Sequence, residues 1–159
     1  MIVILTGNKT TIMLTDTLRT IFKRDLAKLE EELGLYQKEE NLWRVEGNIT
    51  NSAGNLTLHL IGNLNTYIGA RLGNSGYVRN RPEEFAMKDV PRAELIRQVE
   101  ETRQTVDAVL SAVTVEQLSS EYPELVLGGK MSTEFFLVHL AGHLNYHLGQ
   151  VNYHRRLLD

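Results

Sequence analysis

The chain contains no cysteine. That excludes disulfides, thiolate metal sites and cysteine nucleophiles, and it suits a reducing, cytoplasmic setting. It also lacks any basic run approaching five residues, and its net charge is −3 from 17 basic and 20 acidic side chains. A surface that tracks phosphates shows as a cationic patch, so nucleic acid is not the expected partner. No apolar stretch is long enough to span a bilayer, so no membrane is expected either. The opening run Met1-Ile2-Val3-Ile4-Leu5 has no basic residues before it and no small-residue cleavage site after it, so it does not read as a secretory leader. There is no internal repeat and no low-complexity tract.

What is present is an ordinary globular composition, 42% apolar and 23% charged over 159 residues. It predicts one folded domain, residues 1–159, with a core of its own. Four segments carry helical periodicity. The first, roughly Thr10 to Lys38, gathers Met13, Leu14, Leu18, Ile21, Phe22, Leu26, Leu29 and Leu33 on one face, with Lys23, Arg24, Lys28, Glu31 and Glu32 opposite. A loop from Glu39 to Thr50 holds the single tryptophan, Trp43. The second helix is predicted from an N-cap at Ser52 to about Leu72, with Asn55, His59, Asn63 and Tyr67 on a polar stripe beside Leu56, Leu60, Leu64 and Ile68. Gly73-Asn74-Ser75-Gly76 ends it. Residues 77–90 read as an irregular crossover. The third helix is expected from an N-cap at Asp89, with Pro91 in its first turn, to about Val113. In the connection that follows, Glu124-Leu125-Val126-Leu127 reads as strand-like. The fourth helix runs from an N-cap at Ser132 to about Leu157. The expectation is an all-α four-helix bundle, an architecture that builds metal sites between facing helices.

Four of the five histidines fall in the final 21 residues. Four residues advance a helix by about 6 Å and turn it by about 40°, so His139, His143 and His147 form one imidazole stripe. Two imidazoles at i, i+4 can grip one divalent ion, and a catalytic centre needs three protein ligands and an open position. The only histidine on another helix is His59, centrally placed to face the stripe. Spacing alone does not choose between the pairs His139/His143 and His143/His147. Phe135, Phe136 and Leu140 flank the stripe, a half-buried setting in which unpaired imidazoles would be poorly satisfied. Asn55 and Asn63 share a polar cavity with His59 or support it. Tyr146 and Tyr153 read as packing residues, and Arg79 and Arg81 either as holders of an anionic group at the site mouth or, the safer reading, as an exposed basic loop. Gly142 and Gly149 weaken their helix and suggest close approach of a neighbouring helix or ligand. Because ligation needs neutral imidazole, metal binding is expected to weaken as pH falls through about 6.5.

The run His143-Leu144-Asn145-Tyr146-His147-Leu148-Gly149-Gln150 resembles the HxxxHxGQ signature of the last helix in DinB/YfiT-like proteins, and Asn55-Leu56-Thr57-Leu58-His59-Leu60 resembles their second-helix motif. The resemblance covers nearly the whole chain in helix order. It implies an up-down-down-up bundle, commonly a homodimer, with one divalent metal on His59, His143 and His147; imidazole ligands leave the ion open among zinc, nickel and iron. His139 matches a position where relatives also carry histidine, outside the expected three. Some relatives are thiol transferases or isomerases that use a low-molecular-weight thiol cosubstrate. Leu148 stands where relatives often have arginine, which removes a cation beside the site. The implied function is a metal-dependent thiol S-transferase or hydrolase acting on a small molecule. The alternative is a non-catalytic ligand-binding or interaction module with a structural metal. No general base is identifiable, since neither motif contains a carboxylate and Glu134 lies far up the last helix.

Overall fold

The computed structural model describes residues 7–159, with side chains from Leu14 onward. The Met1–Leu5 run and the expected inward side chain of Met13 lie outside the described residues. The chain is all-helical: among the described residues there is no strand, only isolated bridges pairing Glu121 with Ser132 and Val126 with Gly129. The strand-like reading of residues 124–127 is therefore not realised. Two turn-like bridges are too little ladder to hold an isolated extended segment.

Helix α1 spans Gly7–Gly34 and stops at its glycine, four residues short of the expected end. Its apolar face is buried through Leu18, Phe22, Leu26, Leu29 and Leu33. Glu32, read from the sequence as solvent-facing, is buried instead and accepts hydrogen bonds from Arg155 and Asn152, each at 2.9 Å. A buried carboxylate is tolerated when it is paired and fully hydrogen-bonded.

Helix α2, Ala53–Leu64, starts where Ser52 caps it, the Ser52 Oγ accepting from the Asn55 amide at 3.2 Å. Every residue of α2 is buried. A helix apolar nearly all round belongs at the centre of a protein, so its polar stripe is interior. The helix continues as a π-helical turn, Asn65–Ala70. Gly54 makes room for Trp43, since a Cβ there would sit 2.7 Å from the indole ring.

The crossover is not irregular throughout: it contains α3, Arg81–Ala86, with Pro82 in its first turn. Helix α4 runs Arg92–Ala112 from Pro91, not from Asp89. Asp89 adopts a left-handed φ of 59°, a conformation open to Asp but unlike the extended one an N-cap uses. A short α5, Val115–Ser119, opens with a capping box between Thr114 and Gln117. Helix α6, Thr133–Leu158, begins at the predicted cap, Ser132.

Helix α1 packs on α4 and α6, and α2 packs on α6, α4 and α3. Between α1 and α6, Asp25 meets Asn145 and Glu32 meets Asn152. Between α1 and α4, Arg19 meets Asp107 and Glu30 meets Arg103. Between α2 and α6, His59 meets His143, and the ring of Tyr67, at the π-helical end, meets Phe136. These pairings set the face of α2 that carries His59 against the stripe of α6.

Candidate metal centre

His143 and His147 lie one turn apart on α6, and α2 brings His59 across to them. The Nε2 of His143 is 3.3 Å from the Nε2 of His59 and 3.1 Å from that of His147. A ligand atom from each of the three residues lies within 4.8 Å of the others. Tetrahedral coordination at Zn–N distances of about 2.0–2.1 Å separates ligand nitrogens by about 3.3 Å. The donor set and its spacing therefore fit a divalent cation.

The outer nitrogens are held. The Nδ1–H of His59 donates to Glu84 Oε2 at 3.0 Å, and the Nδ1–H of His147 donates to Gln150 Oε1 at 2.6 Å. Both bonds place the proton on Nδ1 and leave the Nε2 lone pair facing the cluster, the tautomer a ligand needs. Gln150 thus has a role its place in the motif did not reveal. His143 Nδ1 is buried with no hydrogen-bond partner among the described residues.

Glu84 was not legible as part of the site. Helix α3 supplies it, and the one sequence signal was Pro82 followed by Glu83 and Glu84, a helix-start pattern. The carboxylate is buried and bonded on both oxygens, since Arg79 donates to Oε1 at 2.6 Å and to Oε2 at 2.8 Å. Burial raises its pKa, but the hydrogen bonds from His59 and Arg79 and the charge of Arg79 outweigh that and hold it below the usual carboxylate range. Gly62 makes this approach possible, because a Cβ there would lie 2.0 Å from Glu84 Oε1. Asn55 pins α3 in place by donating to the carbonyls of Glu84 (3.0 Å) and Met87 (2.8 Å). Its task is to clamp the backbone that carries Glu84.

Arg79 is likewise not the exposed loop cation the sequence suggested. Its side chain is only 13% exposed, because Glu84 draws it inward. Arg81 remains exposed, over the ring of Phe85. Asn63, one turn beyond His59, is buried, and its Oδ1 has no partner among the described residues. These residues, with Tyr67, Phe136 and His139, line a cleft of about 410 Å³ closed on one side by Leu125, Val126 and Leu127. His139 stacks on Phe136 and stays outside the triad.

His154 is a satisfied core histidine. Its Nε2–H donates to the Arg44 carbonyl at 2.8 Å, and its Nδ1 accepts from the Tyr36 hydroxyl at 2.7 Å. Tyr146 and Tyr153, expected to pack, are instead largely exposed, 65% and 64%. Glu134 is exposed and takes no part in the cluster.

Burial pushes the His143 imidazole down to about 4, assisted by the neighbouring His147, His59, His139 and Arg79. Burial also lowers His147, against the raising effect of its bond to Gln150. These two imidazoles thus stay neutral below the pH of about 6.5 expected from free imidazole.

Helical architecture, two histidine motifs and a convergent triad define a class, and the sequence matches the DinB superfamily over residues 21–151. The chain belongs to that superfamily. No curated protein matches it. Among the described residues, no helix is long and apolar enough to cross a membrane.

Proposed function

We propose that this chain is a single-domain, cytoplasmic DinB protein that holds one divalent metal on His59, His143 and His147 and acts as a metal-dependent thiol S-transferase or hydrolase on a small molecule. The observation that carries it is the convergence of three Nε2 atoms at ligand spacing, two of them turned inward by Glu84 and Gln150. The order of the helix contacts supports the up-down-down-up bundle: the α1–α6 pairs ascend together, while the α1–α4 and α2–α6 pairs run oppositely. A homodimer is part of the same reading.

A divalent cation bound there would supply Lewis acidity, lowering the pKa of a coordinated water or thiol to near neutrality. The protein's own groups do the rest. Glu84 fixes the His59 ring, and Gln150 fixes that of His147. Asn63 offers its free carboxamide oxygen to a donor on the substrate, and Arg81 gives the cleft mouth a positive charge. Phe136 and Val126, both buried, exclude water from one wall. Glu84 cannot double as a free base, since both of its oxygens are engaged.

The test is elemental analysis of untagged protein beside the His143→Ala/His147→Ala double variant. Near-stoichiometric metal in the wild type, lost in the variant, is the expected result. Wild-type protein that carries none and takes up no zinc, nickel or iron on titration would refute the reading.

A further inference from the structure

The outward face of α6 is unlike the other helix surfaces. On α4 the exposed side carries ion-paired charges such as Arg97 with Glu94, and Arg103 with Glu100. On α6 the exposed residues include Phe135 (60%), Val138 (51%), Tyr146 (65%), Tyr153 (64%) and Leu157 (68%), beside the polar Asn145 and Gln150. At 3.6 residues per turn these five fall in one stripe about 100° wide and about 33 Å long, opposite the buried face. A contiguous exposed patch of aromatic and aliphatic side chains marks an interaction surface.

Gly142 and Gly149 lie in the same stripe. Nothing in the chain requires them to be glycine, since a Cβ at either would meet no atom within 4 Å. Glycine is a poorer helix former than alanine, so two on an open face point to something outside the chain approaching the backbone closely. The stripe is also self-complementary. Its midpoint is Tyr146, and the two glycines flank that midpoint almost symmetrically. An antiparallel copy turned about Tyr146 sets Phe135 against Leu157 and the two Tyr146 rings against each other, with the glycines about one turn to either side leaving room for them.

Charge selects the same orientation. The stripe's flanking charges are at its ends: Glu134 at the N-terminal end and Arg156 at the C-terminal end, on the same edge of the helix. Neither has an ion-pair partner among the described residues; Arg156 only covers the ring of Tyr153. An antiparallel pair related by a twofold axis brings each Glu134 beside the other copy's Arg156. A parallel pair would leave each Glu134 and Arg156 at opposite ends, with no complementary charge beside it. Helix dipoles favour the antiparallel choice as well.

We infer that α6 pairs with α6 of a second copy, antiparallel about a twofold axis at Tyr146. The inference takes up the homodimer of the proposed function and adds its surface and orientation, but it does not depend on metal. Closed twofold dimers use one patch twice, as this stripe does. The buried face of α6 carries the triad, so dimerisation seals the outer side of the helix that holds His143 and His147.

The experiment combines sedimentation equilibrium with thiol cross-linking, which is clean because the chain has no cysteine. Wild-type protein should sediment at twice the 18.1 kDa chain mass. Tyr146→Glu, at an exposed site, should keep its helical circular dichroism and sediment as a monomer. Glu134→Arg should raise the dissociation constant about tenfold or more, and Arg156→Glu in the same chain should restore it. Mixed Val138→Cys and Tyr153→Cys chains should give the 138-to-153 product with a short bismaleimide. Val138→Cys alone should give none, because the two copies of residue 138 lie about 24 Å apart along the axis. A dimer unaffected by Tyr146→Glu, or one cross-linking 138 to 138, would overturn the interface while leaving the metal reading intact. A monomer at high concentration would overturn both interface and homodimer.

Discussion

At the residue scale, the candidate metal centre depends as much on Glu84 as on the histidines. Glu84 sets the tautomer and orientation of His59, and outer partners of this kind are worth about 10–100-fold in metal affinity. Glu84→Gln is therefore expected to lower zinc affinity by about that factor, read by chelator competition, with Glu84→Asp intermediate. Affinity unchanged in both variants would remove Glu84 from the site. His143 makes a second prediction. Its folded-state pKa, about 4, lies below its unfolded value of about 6.5. Between those pH values the unfolded chain binds more protons, so stability is full above pH 6.5 and is lost as pH falls toward 4. Urea unfolding of metal-free protein at pH 7 and pH 5 should show this loss, and His143→Gln should reduce it. Equal slopes in the two proteins would contradict the burial of His143.

At the element scale, α2 was legible as a helix with a cap at Ser52 and a histidine-bearing polar stripe, because local spacing determines both. Its complete burial was not, since that depends on α1, α4 and α6 surrounding it. Helix α3 was missed: six residues are too few to show a period, and the segment is held by Asn55, which lies 29 and 32 positions away from the carbonyls it binds. The contact of α2 with α3 yields a test in which helix propensity and packing oppose each other. Gly62→Ala improves intrinsic helix propensity by about 1 kcal/mol, yet its methyl would collide with the Glu84 carboxylate. Packing is expected to win: thermal melting should show a net destabilisation of about 1–3 kcal/mol. Metal affinity should fall as well, because Glu84 is pushed off His59. A stabilised variant with intact affinity would mean the carboxylate has another place to sit.

At the scale of the whole molecule, packing brings two distant motifs together so that the three candidate ligands come from two helices, α2 and α6. Sequence reasoning reached the four longer helical segments, but not α3 or α5, and the pairing of His59 with the α6 stripe; the structure assembles that group with His143 and His147 rather than His139. It misread Arg79, Glu32, Tyr146 and Tyr153, each for one reason: exposure depends on which neighbour covers a side chain. Arg79 and Glu32 are polar residues drawn inward by partners far along the chain, and the two tyrosines are apolar-bodied residues left outward.

What the sequence determined by itself is what lies within a few residues of chain: helix periods, the Ser52 and Ser132 caps, and imidazoles one turn apart. Those follow from backbone geometry and side-chain spacing, which act locally. The tertiary structure alone decided which nitrogens face inward, which carboxylate steadies His59, and which face of α6 remains open. These are contacts between residues tens of positions apart, and their energies arise only once the helices have packed.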